Sequence, residues 1–439
     1  MPATAGTNPA VRENKHRLWE KAVTLDVRLD RMSPQSTPEP KGRRASAPAP
    51  KEPPHVLIVG GGGTGAAIAH DLVLRGLRVT LVERGEVVSG TTGRHHGLLH
   101  SGARYATSDR AAAIECITEN KILRRIAPGS FEENDGLFVA LTDEDAALER
   151  QFLEGCWQCA VPTRRIDRAE ALRLEPGLNS DMRLAVQVPD ATMDAMRVAL
   201  RFFATARRNG AEILPFTEVT GVTLAGRSVR GVAVRDHAAG RNYEIGADLV
   251  VNAAGPWAGK LAAMAGVTVP IAPSAGVLVA VRGRHCNMVV NRLQAPGDGD
   301  TALPQRQMTV LGTSSWPVDD PDDLGVPAEH IETVVRETSR LLPALQGAEI
   351  TAAWSAARPL VGDSGAVDGR GMPRESRCFD HALDATPAEG FVTIAGGKAT
   401  TLRAMAEVTA NVVCGKLGID RPCETADVTL LPHTAWYTR

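Results

Sequence analysis

The spacing Gly60-x-Gly62-x-x-Gly65 constrains this chain more than any other stretch of it. It follows residues 55–59, an apolar run of strand length and composition, and it leads into residues 66–74, which read as a helix closing at Gly76. Each glycine has its own reason. One permits the tight turn, one lets backbone approach a diphosphate, and one lets the helix pack closely on the strand with its N–H groups aimed at the anion. A second β-branched strand, 78–82, ends on Glu83, an acid placed about 20 residues on, where a ribose hydroxyl needs an acceptor. A glycine triplet alone is a weak sign. Strand, turn, helix, strand and acid in this order predict a unit that binds an adenine dinucleotide.

Composition bounds the rest. The 439 residues are 43% hydrophobic and 23% charged, enough for an ample core, and predict two interleaved domains. A net charge of −2 offers no global attraction to nucleic acid. Seven cysteines are scattered without a disulfide framework, and no secretory or bilayer-spanning apolar run occurs, so a reducing cytoplasm is expected. Cys156 and Cys159 form a C-x-x-C, but residues 150–160 read as the end of an amphipathic helix. Two helical cysteines one turn apart are expected there, rather than a redox pair, and no metal site is expected anywhere.

Residues 1–53 differ in composition from the folded part, 54–432. Residues 31–54 are a Pro, Ala, Ser and Lys/Arg tract that reads as a disordered linker. Before it, Leu18, Ala22, Leu25 and Leu29 recur at helical spacing. Two readings stay open: a short amphipathic helix docking on a partner or a bilayer surface, or an unstructured tail. Arg43-Arg44 has no apolar segment behind it and is not read as a twin-arginine signal.

Further along, residues 108–126 predict a helix stopped by Pro128, 136–141 a strand, and 143 onward a charged helix. A helix at 196–208, a strand at 212–214, a hairpin over 218–235 and a strand at 247–251 follow. That last strand enters Asn252-Ala253-Ala254-Gly255-Pro256-Trp257. Strand 391–395 likewise enters Gly396-Gly397-Lys398-Ala399-Thr400-Thr401 and then helix 402–414. Both junctions present backbone N–H groups as the opening loop does. Three such junctions argue for one large ligand threaded through a discontinuous domain, more than NAD requires.

Four pieces then carry a resemblance: Thr92-Gly93-Arg94-His95-His96-Gly97-Leu98-Leu99-His100-Ser101-Gly102-Ala103-Arg104-Tyr105, Asn252 to Trp257 as quoted, Ala357-Arg358-Pro359-Leu360, and Gly396-Gly397-Lys398. Smaller matches are Leu311-Gly312-Thr313 and Arg421-Pro422-Cys423. With them, residues 54–431 resemble the flavin-dependent glycerol-3-phosphate dehydrogenases of the D-amino-acid-oxidase-like superfamily, closest to the catalytic subunits of the bacterial anaerobic enzymes. The resemblance implies an α/β fold: a discontinuous Rossmann-like FAD-binding domain (54–129, 190–262, 385–425) and a smaller α+β substrate domain (130–189, 263–384) with a largely antiparallel sheet. It implies FAD as cofactor. Gly60, Gly62, Thr64 and Gly65 would meet its pyrophosphate, Glu83 and Arg84 its adenosine ribose, and Val219 its adenine. Ser89, Thr91, Thr92, His96 and Leu98 would lie along the flavin, Ala254, Gly255 and Trp257 at the second junction. Gly396, Gly397, Lys398, Ala399 and Thr400 would face the pyrimidine edge.

The implied reaction oxidises sn-glycerol 3-phosphate, with a hydride passing to flavin N5 and electrons onward to quinone, directly or through partner subunits. Such chemistry needs a proton acceptor and fixed cations for the phosphate. Arg104, Arg358, Arg377 and Lys398 match the family's basic positions, with Tyr105 as a hydrogen-bonding neighbour. His100 is the histidine chosen as acceptor, because it adjoins the 101–105 segment. The resemblance also implies a cytoplasmic protein, one compatible with a peripheral position on the inner membrane face. Three departures stand out. Ala275-Gly276-Val277 replaces a polar wall of the site, Leu402 stands where relatives carry tyrosine, and only Cys414 and Cys423 occur where the anaerobic catalytic subunits continue into a cysteine-rich region. The alternative is oxidation of another small anionic hydroxy or amino acid, or a flavin-binding subunit with little activity.

Overall fold

The run before the glycine loop forms β1 (His55–Val59), and β2 (Arg78–Val82) pairs beside it in parallel. In the computed structural model, which describes residues 52–362 and 375–438, both belong to a six-stranded sheet. Its other strands are β3 (Glu212–Leu214), β4 (Leu249–Asn252), β5 (Ser376–Asp380) and β6 (Phe391–Gly396), in the order β5-β6-β4-β1-β2-β3. Neighbours are parallel except β5 with β6. The helical pattern at 18–29, Arg43-Arg44 and the linker up to residue 51 lie outside the described residues.

Strand alternation sends the two faces of this sheet to different partners. Val56, Ile58, Val79, Leu81 and Val251 pack toward four helices: α1 (Gly63–Leu74), α2 (Arg110–Ile126), α3 (Ala195–Arg208) and α4 (Leu402–Leu417). Leu57, Val59, Val82 and Val250 face a three-stranded antiparallel sheet, Thr217–Ala225, Ser228–Asp236 and Arg241–Gly246, and the short helix Ala258–Met264.

A second, nine-stranded sheet is built round the long antiparallel pair Ile271–Arg282 and Ile350–Val361. Its strands pair antiparallel except at Val289–Arg292 against Gly136–Ala140. The helix Ala328–Leu341 covers its core. This is the mixed, largely antiparallel sheet expected of the smaller region.

Boundaries moved where local pattern was ambiguous. β5 pairs with β6, so residues 376–380, expected in the smaller region, join the six-stranded sheet. Helix α1 starts at Gly63 rather than residue 66, which brings the glycines into its first turn. Helix α4 runs past Cys414 to Leu417 and stops at Gly418, whose φ of 70° supplies the left-handed cap. Cys156 and Cys159 close the helix Glu149–Gln158 as expected, both buried, and burial pushes the Cys156 thiol up to about 12. All seven cysteines are free. Among the described residues no helix is long and apolar enough to cross a membrane, and no group of side chains is arranged to hold a metal.

His70 on α1 is fully buried against the edge of Phe202, and neither ring nitrogen has a hydrogen-bond partner among the described residues. Burial drives its imidazole down to about 4. Above about pH 6.5 folded and unfolded chains both hold the ring neutral. As pH falls toward the folded value, the unfolded chain takes a proton that the folded chain refuses, so stability drops by up to about 3 kcal/mol. His70→Leu is expected to flatten this acid-side loss, read by urea unfolding near neutral pH and near the folded value. Parallel pH profiles for the two proteins would contradict it.

Candidate active site

Strands β6, β4 and β1 are neighbours and run in parallel, so the three glycine junctions emerge side by side at one edge of the sheet. In open parallel sheets this edge is where ligands bind. Gly60 has a φ of 116°, and a Cβ there would lie 2.5 Å from the Ala253 carbonyl oxygen, so the first two junctions touch backbone to backbone. A side chain at Gly65 would collide with the Gly60 carbonyl, which is why the helix can start so close to the strand.

A cavity of about 690 Å³ follows this edge. At one end Glu83 is held by the N–H groups of Gly61, at 2.7 Å, and Gly85, at 2.9 Å. Both carboxylate oxygens are thus oriented while the group still lines the cavity, ready to accept from hydroxyls. Val219 and Arg84 line the same end. The Arg84 guanidinium lies 4.5 Å from the Trp257 ring centre and pairs with Asp322. Pro321, Asp322 and Lys260 also reach this rim. None of the three was singled out from the sequence, because a loop of the second sheet brings the first two here.

Gly62, Thr64, Ala254, Gly255, Gly396, Gly397 and Ala399 line the middle of the cavity, and Ser89, Thr91, Thr92, His96 and Leu98 form one wall. Thr92 accepts the Gly63 N–H, and Thr91 donates to the Ala357 carbonyl at 2.7 Å. Thr400 lies behind the wall, fully buried, accepting the His100 N–H at 3.0 Å. Leu402 lines the cavity beside Gly63, where a tyrosine was the expected residue.

The opposite end carries His100, Tyr105, Arg358 and Lys398. Lys398 follows β6 and Glu83 follows β2, and these strands are separated in the sheet by β4 and β1, three inter-strand spacings of about 4.8 Å. The Lys398 ammonium lies 5.4 Å from the Tyr105 ring centre and 3.3 Å from Glu115. The Tyr105 and His100 ring centres are 5.4 Å apart. Arg358 donates to the carbonyls of Ala275 and Ser314, each at 3.1 Å, and to the Thr313 hydroxyl at 2.6 Å. A Cβ at Gly276 would lie 2.6 Å from its Nη2. Ala275-Gly276-Val277 is therefore the socket of Arg358, and the polar wall missing from that segment is supplied by the guanidinium itself.

The other histidines are set differently. The Nδ1 atoms of His95 and His96 accept from the N–H groups of Gly97 and Leu98, which leaves the ring proton on Nε2. Burial lowers His95 to about 4, and burial with the charge of neighbouring histidines takes His96 well below its usual value. At neutral pH both present an Nε2–H donor, so neither accepts a proton. The His95 donor has no partner among the described residues.

Two expected cations are elsewhere. Arg104 does not line the cavity; its guanidinium is taken by Asp300 at 2.7 Å in the second sheet. Arg377 is exposed on β5, over the Phe379 ring at 4.9 Å. It occupies an edge strand and does not line the cavity. Gly65 also stays behind the cavity wall.

The family described as FAD dependent oxidoreductase (DAO) matches residues 55–411. The chain belongs to this family. A subunit of the anaerobic glycerol-3-phosphate dehydrogenase from Escherichia coli (strain K12) is 42% identical over 377 residues, 85% of this chain and 69% of the relative. Its counterpart from Haloferax volcanii is 41% identical over 391 residues, 87% of this chain and 67% of the relative. The solved glycerol-3-phosphate dehydrogenase from Bacillus halodurans, complexed with FAD, aligns with a TM-score of 0.67 at 25% identity, covering 87% of this chain and 68% of that one.

This FAD-dependent oxidoreductase has a cavity that fits its cofactor. The junction backbones carry little side chain, and the Glu83 carboxylate is pinned at one end while still lining the cavity. Those features suit a long ligand with ribose hydroxyls and a diphosphate. Glu83→Ala should weaken FAD binding by about 10- to 100-fold, the worth of hydrogen bonds to a charged acceptor. Titrating apoprotein with FAD and following flavin fluorescence measures it, and an unchanged dissociation constant would remove Glu83 from this role.

Proposed function

We propose that this enzyme oxidises sn-glycerol 3-phosphate to dihydroxyacetone phosphate. FAD, when bound, supplies the hydride acceptor for the carbinol C–H bond. Arg358 and Lys398 hold the phosphate, a planar fork and a point charge converging from different elements on one end of the cavity. Their field also favours the negative charge that develops on the substrate oxygen as its proton leaves. His100 takes that proton, and Tyr105, packed between His100 and Lys398, orients the hydroxyl through a hydrogen bond. His96, its Nδ1 already taken by the Leu98 N–H, acts only as a donor along the cofactor wall. The observation that carries this reading is the pairing of Arg358 and Lys398 at the end of the cavity opposite Glu83.

Electrons then pass to quinone or to an electron-accepting partner protein. The likeness to subunits of the anaerobic dehydrogenases supports this reading. A peripheral position on the inner membrane face accords with that role. Oxidation of another small anionic hydroxy or amino acid remains the competing reading. It is disfavoured because two cations at one cavity end suit a phosphate dianion better than a carboxylate.

Anaerobic bleaching of the oxidised flavin band separates the two. The holoenzyme is expected to bleach with sn-glycerol 3-phosphate and not with D-lactate, 2-hydroxyglutarate or amino acids; no bleaching by the phosphorylated alcohol would sink the reading. Arg358→Ala should raise the half-saturating substrate concentration by about 10- to 100-fold, the worth of a charge-assisted hydrogen bond, with a smaller change in limiting rate. Equal saturation curves for variant and parent would take Arg358 out of the phosphate site.

A further inference from the structure

Arg104 adjoins Tyr105 on the cavity wall, yet its guanidinium is committed away from the cavity. Nη2 donates to both oxygens of Asp300, at 2.9 and 2.7 Å. Asp300 also accepts the Gly297 N–H at 2.9 Å. The Thr301 hydroxyl lies 3.2 Å from Asp300 Oδ1 and 3.0 Å from Asn291 Oδ1. Asn291 Nδ2 donates to Asp190 Oδ2 at 3.4 Å, and Asp190 Oδ1 accepts the Ser101 N–H at 2.7 Å. The path therefore leaves the wall segment at Ser101 and returns to it at Arg104. Ser101, Asp190, Asn291, Asp300 and Thr301 are each at most 5% exposed.

A closed polar ring in the interior is costly unless every member is satisfied, and replacing it with apolar groups is often neutral or stabilising. Its geometry gives it another use. Asn291 and Thr301 lie on strands of the second sheet, whereas His100 is fastened from the parallel-sheet side by Thr400 and by Asn120, whose Nδ2 donates to the His100 carbonyl at 3.1 Å. The segment bearing His100 and Tyr105 is thus clamped from both regions at once.

We propose that Asp300 is a positioning residue that acts through Arg104: it fixes His100 and Tyr105 at the cavity wall, and Arg104 is a strut rather than a phosphate ligand. The proposal rests on the oxidation of a phosphorylated alcohol argued above. Its test uses the FAD-loaded enzyme and the rate of anaerobic flavin bleaching across sn-glycerol 3-phosphate concentrations. Asp300→Asn and Arg104→Gln should each lower the limiting rate about 10- to 100-fold, as displaced reacting groups do, while half-saturation shifts less than about 3-fold. The double variant should be several-fold faster than either single one, because two amides restore a hydrogen bond without an unpaired buried charge.

A double variant no faster than Arg104→Gln, or an Arg104→Gln enzyme whose half-saturation rises more than about tenfold at an unchanged limiting rate, overturns the proposal. If the single variants fail to retain FAD, the double variant decides. A limiting rate within about tenfold of the parent supports the strut, and a larger loss overturns it. If the parent itself is not bleached by sn-glycerol 3-phosphate, the substrate reading fails by itself. The ring is then read from the visible circular dichroism of bound flavin, which each single variant should alter and the double variant restore; spectra unaltered in the single variants overturn it.

Discussion

The approach of Gly60 to the Ala253 carbonyl is the contact on which this architecture turns. Parallel pairing sets β1 beside β4, and side-chain-free backbone lets the loops after both strands meet without a gap. The third junction, after β6, completes a row of exposed backbone along one sheet edge. A Cβ in the first loop would part that row and separate the acid end of the cavity from the cationic end. The site is thus a property of strand order first and of individual side chains second.

Helix α2 carries much of the support behind the cationic end. Three of its residues, near one another on the helix surface, serve different elements of the site: Glu115 meets Lys398, Glu119 pairs with Arg403 at the start of α4, and Asn120 holds the His100 carbonyl. The Arg403–Glu119 pair is buried on both sides, and Arg403 also reaches Glu407 on its own helix. Buried charges in this molecule serve largely to hold segments together, whereas Arg358 and Lys398 reach the cavity.

What was legible in the sequence was local. The glycine spacing, Glu83 and the two later junctions could be read because each works within a few residues of chain, and the strand-helix order around them fixed the fold class. The wall residues from Ser89 to Leu98 line the cavity for the same reason. Arg104 and Arg377 could not be sorted from Arg358 and Lys398, because what separates them is a partner about 200 residues away in one case and an edge-strand position in the other. The protonation of His95 and His96 was equally hidden: it depends on which backbone N–H each ring accepts. Ala275-Gly276-Val277 looked like a lost wall only because the residue that fills it comes from the facing strand.

The Thr91–Arg94 helical turn lies along the cofactor wall, and two hydrogen bonds tie it to the strand bearing Arg358: Thr91 to the Ala357 carbonyl and Trp354 Nε1 to the Arg94 carbonyl, at 2.7 and 2.6 Å. Ordering one side of that tie orders the other. A ligand that stiffens the turn therefore lowers the conformational cost of presenting the guanidinium one residue beyond Ala357, and any ligand held by that guanidinium would favour the ordered turn by the same amount. The turn on the cofactor wall and the strand bearing Arg358 are in this way joined into one unit by two direct hydrogen bonds.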